Sequence, residues 1–380
     1  MYQLKKLEVT FYEELAKLPD PFAFSDGSRV KTAADWKRRR EELIKTAVEA
    51  QYGTLPPEPE FLEVEPLYTP GPGKLENYRI ITGTRACPVS FVMQVQRPKK
   101  KEPCPAVING DLCWYGPQDR AIWSMFTEAG IIAAGFNRTE IVPDIRGAKR
   151  TSALQRAYPD KTFGGIAAWA WGYWRCTDAL IKLGLCDEHI VYTGLSRGGK
   201  TALVAGAVDE RAWITNPEAP CAGGSLYRSR MRAITEDGAE RRSEEYDDIV
   251  KTFPDWFAPD AADYIGRVPE LPYDIHELKA LVAPRIFFNS EAKSDLWAGP
   301  LQAYQSNIAA REVYKFLGCP ENILWYWRDG YHDQNAEDFG MLLNLIQNRL
   351  KGEELSEKFG YIPFDEPPSI FDWRAPARED

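Results

Sequence analysis

Apolar and polar positions change rhythm along the chain. Between Thr32 and Tyr52, Trp36, Leu43, Ala47 and Val48 recur near helical spacing behind a capping threonine, which predicts a helix. Gly53-Thr-Leu-Pro-Pro-Glu-Pro stops it. Short β-like runs follow at 61–67, 78–82 and 91–97. Beyond them apolar strands are predicted at 106–109, 131–136, 189–193, 212–216, 285–289 and 322–327. Helices are predicted near 118–129, 165–183, 198–208, 302–317 and 335–351. Strands that recur with intervening helices predict an α/β fold: a mostly parallel central sheet with helices on both faces.

One stretch breaks this alternation. From about Gly223 to Val282 the chain is polar, with Arg241-Arg242 and Glu244-Glu245, and predicts a cap-like insertion between the strands at 212–216 and 285–289. Residues 1–60 read as a helical lead-in, with the run Lys37-Arg38-Arg39-Arg40 on a solvated helix face. Residues 360–380, with Pro363, Pro367, Pro368 and Pro376, read as an extended strap. No internal repeat is visible, and residues 1–380 are expected to form a single domain.

Composition narrows the function classes. Hydrophobic residues at 44% and charged residues at 27% are ordinary for a folded globular chain. A net charge of −9 argues against nucleic acid and against anionic lipid as partners. There is no apolar run of signal-peptide or membrane-spanning length. Seven cysteines stand singly, without a Cys-x-x-Cys pair or a Cys/His cluster, so no metal site is expected and a reducing, cytoplasmic setting is. Twelve tryptophans belong mostly in a core, though carbohydrate clefts also use indole faces.

The sharpest motif is Gly194-Leu195-Ser196-Arg197-Gly198, a G-x-S-x-G set between a predicted strand and a predicted helix. In that context it reads as a nucleophile elbow of the α/β-hydrolase fold, with Ser196 at a helix N-terminus where free N–H groups favour developing negative charge. A serine nucleophile needs a base, and the chain has only three histidines. His189 begins the strand that leads to the elbow, and so lies at its far end. His276 lies in the polar insertion and reads as a surface residue. His332 follows a late strand, where this fold places its base. Asp295, after the strand at 285–289, is the favoured acid; it also reads as a helix cap. Glu218 is its rival, with Glu291 behind both. Arg197 follows the serine, so its backbone N–H faces the oxyanion. Its guanidinium either assists there or forms a structural salt bridge. No cofactor is called for.

These residues resemble a known family. Gly194-Leu-Ser-Arg-Gly-Gly-Lys-Thr-Ala-Leu is similar to the nucleophile motif of the glucuronoyl esterases, carbohydrate esterase family 15, marked by Ser-Arg-x-Gly-Lys. Trp36 with Arg38-Arg39, Tyr52-Gly53, Ala168-Trp-Ala-Trp-Gly with Arg175 and Asp178, Ala222-Gly-Gly-Ser and Asp295-Leu-Trp extend the likeness over roughly 20–351. The resemblance implies cleavage of the ester between 4-O-methyl-glucuronic acid of xylan and lignin alcohols. It implies Ser196 as nucleophile, His332 as base, Arg197 beside the oxyanion, and Lys200 and Trp297 on the sugar. Many members carry a Glu just after the strand that follows the elbow. That place holds Ala219 here, with Glu218 one position early, and relatives without that Glu use a later acid, in agreement with Asp295. Leu195 replaces a family cysteine, which excludes a disulfide at the elbow. Lignin–carbohydrate esters are extracellular, so a cytoplasmic chain would instead meet smaller uronate esters. An acetyl-xylan or cephalosporin-type deacetylase of the same fold, and an inactive carbohydrate-binding relative, are the competing readings.

Overall fold

The computed structural model describes residues 2–114, 119–147 and 150–380. Strand β1 spans Glu8–Glu14. Thr32 and Asp35 form a capping box that starts α1 (Ala33–Leu43), which runs through a wider turn, Ile44–Glu49, into α2 (Ala50–Tyr52). Strands β2 (Phe61–Tyr68), β3 (Leu75–Gly83) and β4 (Pro88–Gln96) form a meander. Then come β5 (Cys104–Asn109), α3 (Arg120–Glu128), β6 (Ile132–Phe136), α4 (Ala153–Ala157) and α5 (Gly165–Lys182). Strand β7 (Cys186–Leu195) turns directly into α6 (Arg197–Val208), followed by β8 (Ala212–Glu218). Strands β9 (Ser229–Ile234) and β10 (Glu240–Arg242) with α7 (Tyr246–Thr252) and α8 (Ile275–Ala280) precede β11 (Ile286–Ala292). Helix α9 (Pro300–Phe316), β12 (Ile323–Arg328) and α10 (Ala336–Lys351) close the regular structure.

Among the described residues, nine strands make one sheet in the order β12-β11-β8-β7-β5-β6-β4-β3-β2. The strands from β6 to β12 pair in parallel, and β2, β3 and β4 are antiparallel. Strands β5, β6, β11 and β12 are buried at every position, as a sheet covered on both faces requires. One face packs on α3 and α10 through Val107, Val191, Ile214, Phe288, Phe126 and Leu342. The other is covered by α5 and α6, with α8 packed beside α6 and α9 against α8. This is the α/β-hydrolase architecture that the strand–helix alternation predicts. Among the described residues no helix is long and apolar enough to cross a membrane.

Four expectations need correction. The lead-in is not purely helical: β1 pairs antiparallel with β9, which also pairs with β10, to form a second, three-stranded sheet. The insertion therefore recruits the N-terminus, and it is no loose polar cap. Its Tyr227, Tyr246, Ile249, Trp256, Tyr273 and Leu278 are buried. His276 is fully buried on α8, its Nε2 2.9 Å from the carbonyl of Pro19, rather than on the surface. The basic run is also split. Arg39 and Arg40 are buried, with Arg40 donating to the carbonyl of Ala207 at 2.7 Å, so it closes the end of α6 instead of meeting water. In the tail, Phe364, Ile370 and Phe371 are buried.

Candidate active site

Residue 196 is where β7 becomes α6. Ser196 has φ 59° and ψ −118°, a positive-φ conformation that among the described non-glycine residues only Ala219 and Cys221 share. Such strain persists only where neighbours fix it. Ser196 donates its N–H to the carbonyl of Glu218 at 2.9 Å and accepts from the Lys200 N–H at 2.9 Å. The Leu195 N–H donates to Oδ2 of Asp111 at 2.7 Å. The motif glycines make room for this. A Cβ on Gly194 would stand 2.7 Å from the carbonyl oxygen of Gly198, and one on Gly198 would overlap the Asp111 carboxylate. As the first residue of α6, Arg197 has an N–H with no partner inside the helix, available to an oxyanion at the serine.

Asp111 is a residue the sequence reasoning missed. It lies two positions beyond β5, fully buried, and pairs with the fully buried Arg138, whose guanidinium also lies 4.7 Å from the Trp114 ring. Burial lowers Arg138 to about 10. An acid just past the C-terminal end of a parallel strand was the available signal, because crevices of open α/β sheets form there.

Asp295, after β11, and His332, after β12, meet: His332 Nδ1 lies 2.6 Å from Asp295 Oδ2. Asp295 is buried and the His332 side chain is 38% exposed. Asp295 stands at the cap position of the short turn Leu296–Ala298 but makes no side-chain cap bond there, so its carboxylate is given to the imidazole. Glu218 is elsewhere. It is fully buried at the end of β8, accepts a bond from Ser290 Oγ, and is pushed well above the usual carboxylate range by burial. Glu291 is likewise buried, accepts from Asn289 Nδ2 at 3.0 Å, and is raised by burial to about 8. Neither is bonded to His332.

Arg197 Nη1 donates to Asp144 Oδ2 at 2.7 Å, while Asp144 Oδ1 accepts from Trp256 Nε1 at 2.9 Å. The guanidinium carbon is 4.8 Å from the Trp256 ring and 5.1 Å from that of Phe253, and these two rings stack 3.9 Å apart. The salt-bridge reading of Arg197 is thus present in the geometry, and Nε remains buried without a partner. These groups line a cleft of about 200 Å³ beside the elbow, to which the insertion contributes Phe253 and Trp256. Asp144, Phe253 and Trp256 were not singled out from the sequence, because nothing local marks a contact with α6.

Lys200 is buried on α6 with Nζ 3.8 Å from Glu244 Oε2. Glu244 is held in turn by the Ala222 N–H at 3.0 Å, and its own N–H donates to the Trp297 carbonyl at 3.1 Å. Trp297 is 43% exposed, with Arg242 5.2 Å from its ring centre, whereas Trp169, Trp171 and Trp327 are fully buried. Trp297, Tyr331, Asp295 and His332 share a second, open cleft with Asp237 and Arg241. His189 is bonded to Asp187 near the start of β7, far from this edge. The elbow, the Asp295–His332 pair and the Lys200–Glu244–Trp297 group all lie at the C-terminal ends of β7, β8, β11 and β12.

The model of a family described as "Glucuronyl esterase, fungi" matches residues 82–318. The 4-O-methyl-glucuronoyl methylesterase 1 of Wolfiporia cocos is 30% identical over 313 residues, which covers 80% of this chain and 73% of the relative. The 4-O-methyl-glucuronoyl methylesterase of Podospora anserina is 30% identical over 315 residues, 81% of this chain and 62% of the relative. Among solved structures, a carbohydrate esterase family 15 glucuronoyl esterase from Caldicellulosiruptor kristjansonii aligns with a TM-score of 0.83 at 27% identity, covering 96% of this chain and 98% of the other.

Proposed function

The chain belongs to the glucuronoyl esterase family of carboxylic ester hydrolases, and on that premise we propose that it hydrolyses esters of 4-O-methyl-glucuronic acid by a Ser196–His332–Asp295 triad. The observation that carries this reading is the bond between Asp295 and Nδ1 of His332, which leaves Nε2 for the serine. His332 takes the proton of Ser196 as Oγ adds to the ester carbonyl. The oxyanion is received by the Arg197 N–H, with the Arg197 guanidinium, fixed by Asp144, as an assisting cation. Collapse returns the proton to the departing alcohol and leaves a uronoyl–serine ester. Water then repeats the two steps and frees the uronate.

Lys200 and Trp297 serve the sugar in this reading. The buried ammonium keeps a fixed position against Glu244, and the exposed indole offers a flat apolar face. A cytoplasmic setting has seven unpaired thiols on its side and the extracellular place of lignin–carbohydrate esters against it. A short, diffusible uronate ester satisfies both.

Methyl, allyl and benzyl glucuronates compared with p-nitrophenyl acetate on the purified protein test the assignment. Faster turnover of the uronates, lost in Ser196→Ala, is the expected result. Rapid acetate hydrolysis with the uronates untouched would make it a deacetylase instead.

A further inference from the structure

The loop that carries His332 is wrapped around one buried guanidinium. Arg328, the last residue of β12, donates from Nη1 to the carbonyl of Asp329 at 3.0 Å and from Nη2 to that of Asp333 at 2.6 Å. Its Nε lies 2.9 and 2.8 Å from the two carboxylate oxygens of Asp338 on α10. Gly330 crosses over this fork at φ 104°, where a Cβ would be 2.9 Å from Nη1. Both ends of the loop are therefore gripped by the same cation.

The loop must also travel. Strand β12 and strand β7 are separated by β11 and β8, a lateral distance of about 14 Å at ordinary strand spacing. It is fastened at the β7 side by Gln334, buried two residues after His332, whose Nε2 donates to Thr193 Oγ1 at 2.9 Å. Thr193 lies three residues before Ser196. From there a row of bonds returns across the sheet. Thr193 Oγ1 donates to Asn216 Oδ1 at 2.9 Å, Asn216 Nδ2 donates to Ser290 Oγ at 3.0 Å, and Ser290 Oγ donates to Glu218. A side-chain amide begins the row and a carboxyl oxygen ends it, so both hydroxyl protons have one direction. Every member is buried, where each bond is stronger and each missing partner costs more than in water.

We propose that Arg328, Gln334 and Thr193 are positioning residues that hold the His332 loop over β7, and that Glu218 is the far anchor of this row rather than the acid that serves the histidine. The inference rests on His332 being the base. The row adds an attachment over β7 to a loop that Arg328, Asp295 and the Lys293–Asp329 pair otherwise hold only from the β11–β12 side. A small displacement of the imidazole is costly, because proton transfer needs hydrogen-bond reach.

Gln334→Leu and the near-isosteric Thr193→Val test it, with Thr193→Ser as the conservative rescue and His332→Ala as reference, all assayed on benzyl glucuronate with Tm measured alongside. We expect Gln334→Leu and Thr193→Val to lower kcat per folded molecule about ten- to a hundredfold with KM little changed and only a modest fall in Tm, and Thr193→Ser to restore it. A fall in Tm with kcat per folded molecule preserved would make the row merely structural and overturn the proposal. So would parental kcat in both variants while His332→Ala is inactive. Parental turnover by His332→Ala would instead remove the assignment of the base itself.

Discussion

Asp295 gives its carboxylate to Nδ1 of His332 at 2.6 Å and leaves the turn it begins without a side-chain cap. That pairing separates the candidate acids. Replacing Asp295 by Asn preserves size but removes the charge that holds the tautomer and steadies the imidazolium, so kcat should fall on the order of 10³–10⁴-fold. Glu218→Gln, which still offers Ser290 an acceptor, should cost less than about tenfold. The reverse ranking in steady-state assays would transfer the role to Glu218.

Gly198 has no space for a methyl group above Asp111. Gly198→Ala should therefore either force Asp111 from the Leu195 N–H or lift the start of α6, at a cost of about 1–3 kcal/mol as overpacking. Thermal unfolding should show a lowered Tm, and a fluorophosphonate should label Ser196 more slowly. A variant with parental Tm and labelling rate would contradict the packing described.

Arg197 is oriented by Asp144, and Lys200 by Glu244. Arg197→Lys keeps the charge but loses the planar fork, so kcat on benzyl glucuronate should drop about ten- to a hundredfold. Lys200→Ala should raise KM for the uronate while p-nitrophenyl acetate turnover stays nearly constant. Equal losses on both substrates would remove Lys200 from the sugar side.

His276 is buried neutral, its pKa lowered to about 3 by burial, with Arg228 and Lys279 adding to the shift and the Pro19 carbonyl opposing it. Between that value and its ordinary 6.5 the unfolded chain binds the proton and the folded one does not. The stabilisation is present above 6.5 and is lost as pH falls toward 3. Urea unfolding of the parent and His276→Gln should show a stability difference that shrinks, on the order of several kcal/mol, over this window. A pH-independent difference would mean that His276 titrates alike in both states.

Much of this was legible before any coordinates. The alternation of apolar runs predicted the strands that became β5 to β8, β11 and β12, since a strand covered on both faces reads as a mostly apolar run. The elbow was legible because its glycines answer to local sterics. What failed was non-local. Strand β1, Glu-Val-Thr-Phe-Tyr-Glu-Glu, is mostly polar and exists because β9, more than two hundred positions away, offers it an edge. His276, Arg39 and Arg40 carry polar side chains that tertiary partners bury. The Gln334–Thr193 bond also joins segments far apart in the chain, so no spacing announces it. Asp295 reads from the sequence as either a cap or an acid, and its carboxylate bonds His332 Nδ1 and makes no side-chain cap bond.

The central claim is that residue 196 is an activated nucleophile served by residue 332. Incubation with a fluorophosphonate followed by peptide mass mapping addresses it directly. The account predicts one adduct, on the Ser196 peptide, formed in step with loss of uronate ester hydrolysis and much slower in His332→Ala. An unmodified Ser196 in protein that has lost its esterase activity to the reagent, or full hydrolysis persisting after Ser196 is blocked, would contradict it.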